Sequence, residues 1–135
     1  MAAADRAKIV VPGDDPVQIN GSSHLGRLEP YGDVTLYDTR PATVDEKLAR
    51  VQGARVIMNT RGSVTWGREE LEQLPDLKMI ATCSIGTDML DLDAASDLVV
   101  TVCNQPGRTA PVVAEHMFAL MFACARRVAY HTVQM

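Results

Sequence analysis

Several signatures are missing from this chain, and each absence excludes a class of function. There is no run of Lys or Arg, and the net charge is −4. A nucleic-acid or anionic-membrane surface is therefore disfavoured. Cysteines number three, Cys83, Cys103 and Cys124, an odd count without C-x-x-C spacing. Their apolar contexts lead us to expect buried, reduced thiols in a cytoplasmic protein. His24, His116 and His131 supply no partners at zinc-ligand spacing. The opening MAAADRAK has no apolar segment of the signal-peptide kind. The apolar run Met117–Ala125 is far short of the roughly 20 residues that span a bilayer. It reads as part of a buried helix. No glycine-rich nucleotide motif is present.

What is there is ordinary globular material. At 135 residues, 47% apolar and 22% charged, the chain is expected to form a single domain over 1–135. A chain of this size buries roughly two-thirds of its unfolded surface, enough for a core.

Strand and helix signals alternate along it. Lys8–Val11 is a β-branched run closed by Pro12-Gly13. Val17–Leu28 is polar and reads as a weak or broken helix. Val34–Tyr37 is a second strand. Thr43–Gln52 carries a capping-box pattern, Thr43 with Glu46, and Gly53 ends that helix. Ala54–Met58 is a third strand and Arg68–Gln73 a short helix. Leu77–Cys83 is a fourth strand. Asp91–Ser96 is an acidic-started helix, Val99–Cys103 a fifth strand and Ala110–Tyr130 a long last helix. This alternation predicts an α/β, flavodoxin-like, doubly wound five-stranded parallel sheet of order 2-1-3-4-5, in three layers. Ligands of such sheets bind beyond the carboxyl ends of the strands.

The loops at those ends decide between activities. Pro12–Pro16 carries Asp14 and Asp15, which repel a phosphate, and its prolines remove amide donors, so flavin mononucleotide does not fit. A receiver-type signalling domain would use Asp14 and Asp15 for Mg²⁺. It also needs an Asp where Asn59 stands, and a Lys where Asn104-Gln105-Pro106 follows strand 5. The two acidic residues then read as solvated. Ser84-Ile85-Gly86-Thr87-Asp88 is the stronger candidate. Its small residues let consecutive amides approach an anion, a carboxylate above all. The bland alternative is a strand-to-helix turn in which Gly86 only supplies a positive φ.

The segments SIGTDMLDLDAA, VCNQPG and VVAEHMFALMFACAR, in this order, resemble the D-isomer-specific 2-hydroxyacid dehydrogenases. That family includes phosphoglycerate, glyoxylate/hydroxypyruvate and formate dehydrogenases. The resemblance covers about fifty residues and implies the substrate (catalytic) domain of such an enzyme. It carries carboxylate binding onto the amides of Ser84, Ile85 and Gly86, and a substrate contact onto Thr109, where formate-type members have Asn. Arg61, after strand 3, is a further candidate contact. Glu115 and His116 match a helix-start signature and not the catalytic acid or His.

The resemblance also implies an NAD(P) domain with G-x-G-x-x-G and a catalytic Arg, Glu and His, none assignable here. No catalytic residue is therefore expected in this chain. It is expected to be the substrate-binding half of the enzyme, inactive alone and binding no cofactor itself. The alternative is a stand-alone ligand-binding or receiver-type module. Val99 replaces a glycine usual in the family, which demands either a negative φ or a strained turn. The family's sheet is covered by a helix that follows the NAD(P) domain. The helix at 110–130 is expected to cover the sheet instead, by folding back or by exchange in a domain-swapped homodimer.

Overall fold

A computed structural model describes residues 6–107 and 109–134. The strands are β1 (Ala7–Val11), β2 (Gly32–Leu36), β3 (Val56–Thr60), β4 (Met79–Cys83) and β5 (Thr101–Cys103). The helices are α1 (Val44–Val51), α2 (Arg68–Leu71), α3 (Leu92–Asp97), α4 (Thr109–Ala125) and α5 (Val128–Gln134). All strand pairings are parallel, in the order β2-β1-β3-β4-β5. The sheet topology is thus the one expected.

By contacts the chain divides into two compact units, Met1–Gln105 and Pro106–Met135. The first holds the sheet. Val10, Ile57 and Ile80 on its three central strands have no exposed surface. They pack with Val51, Trp66, Leu71, Leu77 and Val100 into one core cluster. Parallel strands covered on both faces read as continuous apolar runs, which is how AKIVV and its neighbours read.

Helix α1 starts where the sequence says it should. The Thr43 hydroxyl accepts the Glu46 amide at 3.1 Å, and the Glu46 carboxylate accepts the Ala42 amide at 2.7 Å. Two buried cations project from this helix. Lys47 donates to Glu70 Oε1 at 2.6 Å and to the Thr65 carbonyl at 2.8 Å, with its ammonium 5.2 Å from the Trp66 ring centre. Arg50 donates to the Pro12 carbonyl at 2.7 Å, to the Thr39 carbonyl, and to Glu46 Oε1 at 2.5 Å. It also lies 4.6 Å from the Tyr37 ring centre. A buried cation is tolerated only when paired and hydrogen-bonded, and both are. Their bonds fasten α1 to the loops after β1, β2 and β3.

Several expectations need correction. Val17–Leu28 is not a helix; only Leu25–Leu28 forms a 3-10 turn. The gap is filled by Asp14, expected to be solvated but fully buried. Its carboxylate accepts the amides of Gln18, Ile19 and Asn20 at 2.7–3.0 Å. Side-chain capping of this kind competes with a helix for the same N–H groups. The helix expected over 110–130 is two helices, because Arg127 takes φ 51° and ends the run. Of the cysteines expected to be buried, Cys83 and Cys103 are half-buried and Cys124 is exposed, all three as free thiols.

Candidate functional site

The carboxyl ends of β1, β3, β4 and β5 bring four loops to one edge of the sheet. The loops after β1 and β3 are tied together. Thr60 and Ser63 both donate their hydroxyls to the Gly13 carbonyl, at 2.8 and 2.6 Å. Between them Arg61 and Gly62 both adopt left-handed backbone, φ 44° and 66°. Arg61 is exposed, and its side chain makes no hydrogen bond or ion pair among the described residues. Asp15 forms an ion pair with Arg40 at 3.5 Å, and the Asp14 carboxylate is committed to backbone amides. Among the described residues no group of three His, Cys, Asp or Glu is placed to hold a metal. The β1 loop does not fit a nucleotide phosphate either, since its amides are engaged by a carboxylate that would repel one.

The loop after β4 is arranged differently. The Ser84 hydroxyl meets Thr82 Oγ1 at 2.6 Å and donates to the Gly86 carbonyl at 2.8 Å. The Ser84 carbonyl accepts the Gln105 amide at 2.9 Å, and the Ile85 carbonyl accepts the Asn104 side-chain amide at 2.8 Å. Three consecutive carbonyls are thus held, those of Ser84 and Ile85 by the loop after β5 and that of Gly86 by the loop's own Ser84 hydroxyl. The amides of Ile85, Gly86, Thr87 and Asp88 donate to no partner among the described residues. Held carbonyls beside free, consecutive N–H groups make a surface suited to an anion. The Asp88 carboxylate, 3.1 Å from where a Gly86 Cβ would stand, moderates that attraction.

Gly86 does not have a left-handed φ, unlike Gly21, Gly53 and Gly62. The bland reading of Gly86, a glycine needed for positive φ, is thereby removed. What the glycine supplies is bare backbone. Asn104 is the residue that sequence reasoning undervalued. It entered in the VCNQPG match and as a residue standing where a receiver domain has Lys, yet it orients the Ile85 peptide.

Cys83 closes β4 next to this loop. Burial, together with the negative Asp14, pushes its thiol above the ordinary range. It stays protonated near neutrality, which leaves it a poor nucleophile. Thr109 begins α4 in the second unit, and Glu115 and His116 are exposed on that helix.

The chain is similar to known proteins over most of its length. Residues 15–133 match the family described as D-isomer specific 2-hydroxyacid dehydrogenase, catalytic domain. A glycerate dehydrogenase of Methylorubrum extorquens is 40% identical over 64% of this chain and 27% of its own length. Glyoxylate/hydroxypyruvate reductase B of Salmonella typhi is 33% identical over 77% of this chain and 32% of its own length. Among solved structures, an acyclic imino acid reductase in complex with NADPH and D-Arg superposes with a TM-score of 0.76. It is 26% identical, over 90% of this chain and 38% of that one. D-lactate dehydrogenase from Escherichia coli gives 0.62, at 25% identity over 90% and 38%. The chain belongs to the D-isomer-specific 2-hydroxyacid dehydrogenase family and carries its catalytic domain. It spans about a third of the length of these relatives. Among the described residues no helix is long and apolar enough to cross a membrane.

Proposed function

We propose that this chain binds the carboxylate of a small 2-hydroxy or 2-oxo acid. In that role it is the substrate-holding part of a cytoplasmic, NAD(P)-dependent D-2-hydroxyacid dehydrogenase. The observation that carries the reading is the row of free amides at Ile85–Asp88 beside the held carbonyls of Ser84, Ile85 and Gly86. Such donors fix the acid end of a substrate and leave its C2 centre outside the loop. Arg61, in the loop after β3 at the same edge of the sheet, suits a substrate with a second negative group. Thr109 is proposed as a further contact. The pyridine nucleotide belongs to the whole enzyme; neither the β1 loop nor any glycine-rich segment of this chain suits it. Helix α4 is proposed to pair two copies of the chain, through exchange of residues 110–130.

The test is a backbone-amide NMR titration with glyoxylate, hydroxypyruvate and formate. Saturable shifts at Ser84–Asp88 are expected, with glyoxylate or hydroxypyruvate ahead of formate. Ser84→Ala, which frees the Gly86 carbonyl from its hydroxyl partner, should weaken binding roughly tenfold. An equal, non-saturating response across all loops would overturn the reading.

A further inference from the structure

The amino end of the sheet carries a second arrangement, remote from the carboxylate loop. Lys8 lies on β1, Arg55 just before β3 and Lys78 just before β4. The register pairs Ile9 with Val56 and Val56 with Met79. The preceding row across the three strands is therefore Lys8, Arg55 and Lys78. Backbone bonds fix it: the Arg55 amide donates to the Lys8 carbonyl and the Lys78 amide to the Arg55 carbonyl, each at 2.9 Å. Residues in one row of a parallel sheet share a face, with neighbours about 4.8 Å apart. Three cations thus stand side by side within about 10 Å of sheet width.

Like charges on adjacent strands destabilise a sheet. This row does so within a chain of net charge −4, so general basicity does not explain it. Nor do local partners. Lys8 donates to the Gln52 carbonyl at 2.7 Å, but the side chains of Arg55 and Lys78 make no hydrogen bond or ion pair among the described residues. Both are exposed. A fourth cation, Arg6, is fixed alongside by Asp33 at 2.7 Å and by the carbonyls of Glu29 and Gly32. The four cations line one open cavity of about 410 Å³ with Gly53 and a single carboxylate, Asp76.

We propose that this edge is a second binding site, for an anion bearing adjacent phosphoryl groups. The Arg55 guanidinium offers a planar fork for one phosphoryl group, and Lys8 and Lys78 on either side offer point charges for its neighbour. A cluster this wide exceeds what one small carboxylate needs. Its position at the amino edge separates the bound anion from the acid proposed to sit at Ser84–Asp88, so the two sites are distinct.

The experiment is an amide NMR titration with inorganic pyrophosphate, with sodium chloride at matched ionic strength as reference. Saturable shifts at Lys8, Arg55 and Lys78, with none at Ser84–Asp88, are expected. Arg55→Gln with Lys78→Gln should weaken binding at least tenfold, roughly one lost charged hydrogen bond or more. Both residues are exposed, so the double variant should keep its amide spectrum; Lys78→Gln alone, with a severalfold loss, serves as the second reading. A response no larger than that to chloride would overturn the proposal, as would undiminished affinity in the variants. Tighter binding of an acidic peptide than of pyrophosphate would overturn it too, reassigning the edge to a protein partner.

Discussion

Val99 holds φ 57°, a left-handed backbone that a β-branched residue tolerates poorly. It is 82% exposed, so little packing offsets the strain. Strain of this kind costs about 1–3 kcal/mol, while glycine in its place loses about 0.5–1 kcal/mol of backbone freedom. Val99→Gly should therefore stabilise the chain by about 1 kcal/mol, read as a rise in the urea midpoint at unchanged slope. The oddity of this position was legible in the sequence, since a valine stands where the family has glycine. Asp14 was not legible. Two adjacent acidic residues between prolines look solvated, and nothing local tells which one turns inward to cap the next turn. Burial alone would raise the Asp14 pKa, but the amides of Asn20, Ile19 and Gln18 outweigh it and hold the carboxyl below its ordinary value. A depressed folded pKa means stability that is complete above the unfolded value of about 3.9 and drains away as pH falls through the folded one. Asp14→Asn should cost about 2 kcal/mol at neutral pH. It should also flatten the acid limb of stability measured from about pH 5 downward.

Between elements, the Lys47–Glu70 pair joins α1 to α2 with side chains only 7% and 19% exposed. The Lys47 bond is the leading reason that the Glu70 carboxyl sits below its usual range; burial opposes it and the Gly67 amide assists. Glu70→Ala leaves a buried ammonium without its counter-charge and should cost about 3 kcal/mol. Lys47→Met with Glu70→Leu removes both charges and should recover most of that loss in thermal melts. If the single variant is as stable as the parent, the pair is not holding the helices together. The elements themselves were readable where a pattern was strong. Thr43 with Glu46 marked the start of α1, Gly53 its end, and the β-branched runs marked the strands. They were unreadable where a side chain far along the chain overrode the pattern. Residues 17–28 lose their helix to Asp14, and the break at Arg127 has no glycine or proline to announce it. At the site, the strand-4 loop was legible from its small residues. The clamp by Asn104 was not, because it depends on the neighbouring strand.

For the whole molecule the unresolved balance lies in α4. Of its seventeen residues only Thr109, Glu115 and His116 are polar, and none is buried. Met117, Phe118, Met121 and Phe122 are each 53–66% exposed. A helix this apolar is stable in water only when something covers it. Burying one large apolar side chain is worth about 1.5–3 kcal/mol. A handful of these residues, matched against their copies in a second chain, therefore reaches the range of a lasting dimer even after association costs. Sedimentation across a hundredfold range of concentration should show a dimer for the parent. Phe118→Glu with Phe122→Glu should give a monomer that keeps its strand signal, since the sheet and its core lie wholly in residues before Pro106. A parent that sediments as a monomer at every concentration would break the link drawn between the apolar helix and pairing. It would also require that α4 stay in solution with its phenylalanines uncovered, which its composition argues against.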